Sequence, residues 1–202
     1  MNAHRPFMGD SSRPSTAWHA EFDDVNNDGF MDLFVTKGNV EAMPEFAAED
    51  PNNLLLGGPD GTFVESAAAA NLLDLNRSRG GAVTDLNQDG KLDVVVVERR
   101  QPVRVWRNVG EEVGNWLAVK LSQTSPNQHA IGAWVEVRIG SHAIEREVTI
   151  GGGHAGGELG PVHFGLGKAT SARVRVQWPD GTMGPWETFD ANQTITVEKA
   201  RT

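Results

Sequence analysis

Two nine-residue loops constrain this chain more than anything else in it. Residues 24 to 32, DVNNDGFMD, and 85 to 93, DLNQDGKLD, both read D-x-N-x-D-G-x-x-D and lie 61 residues apart. Each runs directly into a β-branched or aromatic stretch, LFV after the first and VVVV after the second. Acids at positions one, three and five can converge on one point while a glycine at six turns the chain sharply, which is how a hard divalent cation collects oxygen ligands. The candidate ligands are Asp24, Asn26, Asp28, the Phe30 carbonyl and Asp32 in the first loop. In the second they are Asp85, Asn87, Asp89, the Lys91 carbonyl and Asp93. Two calcium ions are expected, each relieving repulsion among clustered carboxylates.

An EF-hand does not fit. Its loop ends on a glutamate at position twelve between helices, whereas the twelfth positions here are Val35 and Val96. Before the first loop Trp18, Ala20 and Phe22 alternate as on a strand, and β-branched residues follow both loops, so each loop joins two strands. A plain hairpin turn would use the same residue types. Two copies in register, with the ninth-position acid kept, favour metal.

Between the loops, NNLLLGGPDGTF (52 to 63) reads as a strand, a Pro-Asp-Gly turn and a return strand. After the second loop VRVWRN takes the place of NNLLL. A repeat of this length suggests propeller blades, small sheets that bury their faces only against neighbours. FDDVNNDGFMDLFV, NNLLLGGPDGTFVESA and RGGAVTDLNQDGKLDVVVV followed by VWRN together resemble the FG-GAP or VCBS repeats of integrin-like calcium-loop propellers, over roughly residues 16 to 110. Two repeats do not close a propeller of about four to eight blades. The expectation is a piece of a longer chain, with oligomer contacts or an open sheet packed on the second half as alternatives. Residues 1 to 15 read as a loose leading segment.

A polar, glycine-bearing hinge near residue 111 opens a second half, 111 to 202. NWLAVKL, AWVEVRI, AIEREVTI, VHFGL, ARVRVQW and TITV read as short strands at the spacing of a β-sandwich. In ARVRVQW the inward face is Val174, Val176 and Trp178. This half resembles the ASPIC and UnbV domain that follows VCBS repeats in the cartilage acidic protein family and its bacterial relatives. The resemblance rests on NWLAVKL, Asn127, IGAWVEV, HFGLG, WPDG and ANQTITV. The fold expected is therefore all-β, partial propeller blades followed by a sandwich-like domain.

No acid–base constellation stands out. GGGHAGGELG (151 to 160) has the glycines of a phosphate cradle but no following helix and no Lys-Ser or Lys-Thr, so it reads as a mobile inter-strand loop. His154, His163 and Glu158 read as packed or surface residues. Trp18, Trp116, Trp134 and Trp178 lie on strands and are expected in the core, leaving Trp186 as a ligand platform. The chain has no cysteine, and its formal charge of -9 repels nucleic acid and anionic membranes. No apolar run would span a bilayer, and no signal peptide opens the sequence.

These features suggest a non-catalytic, calcium-binding adhesion module of the extracellular or periplasmic space, with a protein or glycan partner. Two alternatives stay open: an architectural cap on a longer propeller, and an accessory protein or enzyme in enediyne-like natural-product assembly, which the UnbV resemblance implies.

Overall fold

A computed structural model describes residues 16 to 38, 50 to 124 and 126 to 200, and every regular element in them is a strand. The loose leading segment expected at 1 to 15 lies outside them. The first half holds two antiparallel meanders. β1 (Ala17–Asp23), β2 (Asp32–Lys37), β3 (Asn53–Gly57) and β4 (Phe63–Glu65) pair in chain order. β5 (Ser78–Thr84), β6 (Asp93–Glu98) and β7 (Arg104–Trp106) do the same. The acidic loops join β1 to β2 and β5 to β6, and β7 pairs with β6 as β3 does with β2. The β3–β4 hairpin turns at Pro59-Asp60-Gly61, where Gly58 N donates to Thr62 O at 3.0 Å and the Asp60 carboxylate caps Thr62 N.

Both sheets share one core. Phe34 and Leu54 from the first meet Val83, Val94 and Val96 from the second, all nearly inaccessible, and apolar burial of this kind is the main force holding strands this short. The repeat strands thus form two blade-like sheets packed on each other, and none closes into a barrel.

The alternation expected on β1 is present, but the face is reversed. Phe22 is 53% exposed and Ala20 is exposed, while His19 and Asp23 are buried. The polar residues have partners inside. His19 N donates to Thr36 Oγ1 at 3.0 Å, and the Glu21 carboxylate accepts from Val83 N at 3.1 Å, so β1 uses its hydrogen-bonding face to meet β5.

The second half is a sandwich. β8 (Asn115–Ser122), β11 (Val162–Gly167) and β14 (Gln193–Glu198) form one sheet, with β14 parallel to β8. β9 (Trp134–Ile139), β10 (His142–Glu147), β12 (Ser171–Gln177) and β13 (Glu187–Asp190) form the other. Leu117, Val119 and Phe164 from the first sheet interdigitate with Val135, Val137, Val174 and Val176 from the second. Trp178 is in this core, as the alternation in ARVRVQW predicts.

Other tryptophans depart from expectation. Trp134 is 45% exposed, because the core-facing positions of β9 are Val135 and Val137. Trp18 and Trp116 are only half-buried. Trp186 is not an open platform: the guanidinium carbons of Arg138, Arg173 and Arg175 lie 4.7, 5.0 and 4.5 Å from its ring centroid.

Candidate metal loops at the joint between the halves

The two acidic loops superpose bond for bond in their hydrogen bonding. In the first, the Asp24 carboxylate accepts from Asp28 N at 3.0 Å and Gly29 N at 2.7 Å, and Asp28 Oδ1 accepts from Phe30 N at 2.8 Å. In the second, Asp85 accepts from Asp89 N at 3.1 Å and Gly90 N at 2.8 Å, and Asp89 Oδ1 accepts from Lys91 N at 3.0 Å. Asn26 and Asn87 each donate to the fifth-position aspartate, at 3.0 and 2.9 Å. Gly29 and Gly90 take φ of 93° and 83°, left-handed values that explain why glycine stands sixth.

The ninth-position acids do more than close the loop. Asp32 accepts from Val25 N and from Gly57 N on β3, both at 2.8 Å. Asp93 accepts from Leu86 N at 3.3 Å and from Asn108 N at 2.8 Å. Each therefore ties its own loop to the next segment of its sheet.

Surroundings distinguish the loops. The first is partly wedged under the sandwich: Asp24 is 2% exposed, Asn27 is inaccessible and Asp32 is buried, while Asp28 stays exposed. Burial, with Asp28 and Asp32 adding to it, pushes the Asp24 carboxyl up to about 7 against the Gly29 and Asp28 amides. Burial likewise raises Asp32 to about 6 despite the Gly57 and Val25 amides. The second loop is open to solvent, and Arg107 Nη2 stands 3.2 Å from Asp89 Oδ2. Although partial burial opposes it, hydrogen bonds from Asn87 and Arg107 hold the Asp89 carboxyl below its ordinary value.

A hard divalent cation is the group these loops imply, and their donors fit one. Every ligand atom is oxygen, and each carboxylate keeps lone pairs beyond the amides it accepts. Among the described residues, no three histidine, aspartate or glutamate side chains converge closely enough to hold an ion by themselves. An ion would thus draw also on Asn26 or Asn87 and on the Phe30 or Lys91 carbonyl. The buried acids of the first loop lack the neighbouring guanidinium that the second possesses, so the first has the greater need of a cation.

The residues fastening the first loop to the sandwich carry no motif in the sequence. Asn27, at φ 58°, donates from Nδ2 to Gly90 O at 2.9 Å, and its Oδ1 is 2.6 Å from His163 Nε2. Asn27 Oδ1 can only accept, so His163 donates from Nε2, and burial holds that imidazole below its ordinary value. Asn27 O accepts from Gly167 N, and Asn26 O from Gly114 N, at 2.8 and 2.9 Å. A Cβ on Gly165 would come within 1.9 Å of Asp24 Oδ2, and one on Gly90 within 1.8 Å of Trp116 Nε1, so glycine at both positions permits the contact. The Trp116 indole stacks on His163, with centroids 5.9 Å apart.

The glycine-rich stretch 151 to 160 is seated rather than free. His154 N donates to Trp18 O at 3.1 Å, and the two rings lie 4.9 Å apart. A Cβ on Gly80 would fall 2.1 Å from Ala155 O, and one on Gly156 2.5 Å from Gly81 O, so the glycines allow this loop to lie flat on β1 and β5. Beneath it, a polar cleft of about 230 Å³ is lined by Glu21, Asp23, Arg146, Glu158 and His163 among others. Burial raises Glu158 to about 7, with Glu21 and Asp23 adding to it.

Comparison with known proteins finds two family matches along the chain. Residues 24–96 match the family described as FG-GAP-like repeat, and residues 123–202 match ASPIC and UnbV. Cartilage acidic protein 1 of Homo sapiens is 37% identical over 111 residues, covering 53% of this chain and 17% of that protein. The Mus musculus protein of the same name is 36% identical over 111 residues, and that of Xenopus tropicalis 36% over 109. The match spans about 17% of the length of these relatives. Among the described residues, no helix is long and apolar enough to cross a membrane. The chain thus joins FG-GAP-like repeats to an ASPIC and UnbV domain, and over its matched residues it is homologous to cartilage acidic protein 1.

Proposed function

We propose that this chain is a calcium-stabilised, non-catalytic binding module of the extracellular or periplasmic space. In it an ion at residues 24 to 32 fixes the joint between repeat and sandwich. The observation that carries this reading is the burial of Asp24 and Asp32 beside Asp28, with no guanidinium or ammonium bonded to any of the three carboxylates among the interactions of the described residues. A second, weaker ion belongs at residues 85 to 93, where Arg107 already leans on Asp89. Calcium sites of extracellular modules are commonly tuned to about 10⁻⁴ to 10⁻³ M, which suits loops of three carboxylates and one amide. The matched relatives are named for cartilage and for their acidity, and this chain is acidic too. A protein or glycan partner would meet surfaces away from the first loop, whose Asp24 and Asp32 the fold buries. That burial also favours an architectural role for the first ion, which would act inside the molecule.

The test is a thermal melt followed by tryptophan fluorescence in chelator, in millimolar calcium and in millimolar magnesium. A ligand bound only by the folded state at a hundred times its Kd adds about 2.7 kcal/mol, moving a domain of this size by roughly 5 to 10 °C. Calcium should raise the melting point. Asp24→Asn should remove most of the rise, and Asp85→Asn a smaller part. Equal melts in chelator and calcium would overturn the reading and leave both loops as hydrogen-bonded turns.

A further inference from the structure

A third oxygen-rich cluster lies outside both loops. Asp74-Leu75-Asn76-Arg77-Ser78 repeats the alternating pattern of Asp85-Leu86-Asn87-Gln88-Asp89, with a serine hydroxyl at the fifth position. The segment begins alike: Asn76 N donates to Asp74 Oδ1 at 3.1 Å, as an Asx turn does. It then enters β5, where Ser78 stands directly across the ladder from Glu98 on β6, so the two side chains leave the same face of the sheet.

These side chains are sealed in, with few donors around them. Asp74, Ser78 and Glu98 are 4%, 0% and 5% exposed. Asp74 Oδ2, Ser78 Oγ and both Glu98 carboxylate oxygens lack a well-aligned hydrogen bond, although the Asn76 side chain and the Asp74 carboxyl reach Glu98. Buried polar atoms are rarely left so, and four together call for a missing group. The nearest charge is Arg104 on β7, whose Nε stands 3.0 Å from Glu98 Oε1 and 3.5 Å from Asp74 Oδ2. It approaches from solvent with half its side chain exposed, and supplies one positive charge against two negative ones.

We infer that Asp74, Asn76, Ser78 and Glu98 form a third seat for a hard divalent cation, calcium in the first instance, with Arg104 as a displaceable stand-in at its mouth. An all-oxygen set of two carboxylates, an amide and a hydroxyl suits such an ion, and backbone carbonyls or water complete its shell. With Arg104 swung into solvent, the dication balances the two carboxylates.

Equilibrium dialysis of the full chain against calcium at pH 8, with bound metal counted by elemental analysis, tests this. Glu98→Gln should bind one fewer ion per chain than the parent. Ser78→Ala should weaken that ion by about tenfold or more, at least the cost of losing a partner that orients a ligand. Arg104→Gln should tighten it several-fold by removing the competitor. An unchanged count in folded Glu98→Gln would overturn the seat and leave a carboxylate pair sharing a proton. Should that variant fail to fold, unchanged affinity in both Ser78→Ala and Arg104→Gln overturns it equally. Asp28→Asn and Asp89→Asn report on the two loops separately. A count that falls with Glu98→Gln but with neither of these sustains the third seat and rejects the loops.

Discussion

Arg146 on β10 grips the Asp23 carboxylate with both arms, Nη1 to Oδ1 at 2.6 Å and Nη2 to Oδ2 at 3.1 Å, from the opposite half of the molecule. Nη1 also donates to His163 O and Nη2 to Phe22 O, so one guanidinium satisfies β1 and β11 together. Asp23 raises the Arg146 pKa against its burial, and a paired charge so placed is hard to replace. Arg146→Ala should destabilise the protein by about 3 to 5 kcal/mol, because it strands a buried carboxylate. Arg146→Lys should lose less but still clearly melt lower, since an ammonium cannot make the two-armed contact. Denaturant titration of both variants measures the difference.

A methyl group at residue 90 should be equally telling. Gly90 has φ of 83° and faces the Trp116 indole, so Gly90→Ala introduces both backbone strain and overlap. We expect a loss of about 2 kcal/mol or more. Combining it with Trp116→Ala should recover the part due to overlap and not the part due to strain, giving a coupling energy outside the additive range in a double-mutant cycle.

Unequal loops predict unequal response to charge. Arg107→Gln removes the guanidinium beside Asp89 and should tighten calcium binding at the second loop by a few-fold, leaving the first unaffected. Calorimetric titration resolves the two classes, and a shift confined to the tighter class would contradict the assignment of Arg107 as competitor.

Glu158 gives a pH signature. Its folded pKa of about 7 lies above an ordinary glutamate, so the fold prefers the protonated form. The stability this contributes is complete below about pH 4 and is lost as pH rises through 7. Glu158→Gln, which cannot ionise, should therefore melt higher than the parent above pH 7 by an amount on the order of 1 to 2 kcal/mol. Below pH 4 the difference should vanish. Parallel melts from pH 4 to 8.5 in chelator test the slope.

How much of this was legible beforehand differs by residue. D-x-N-x-D-G fixes its own geometry through contacts four or five residues apart, so the loops, their glycines and the strands leaving them could be read directly. ARVRVQW was equally plain, because a single core faces it. β1 departs from its alternation because its inward side chains are polar: His19 pairs with Glu21, Glu21 also with β5, and Asp23 with β10, which periodicity cannot see. Trp116 and the glycines at 80, 156 and 165 are opaque for the same reason, as each fits a surface from a distant part of the chain. Asp74 and Glu98 fall on no motif together, and only the ladder between β5 and β6 brings them side by side.

The position of Asn27 has a mechanical meaning. Through one side chain and one carbonyl it touches the second repeat at Gly90 and the sandwich at His163 and Gly167. A bearing shared by three sheets cannot be released from one of them alone. Repeat and sandwich should consequently come apart in a single step, and whatever steadies the loop around Asn27 steadies the whole molecule.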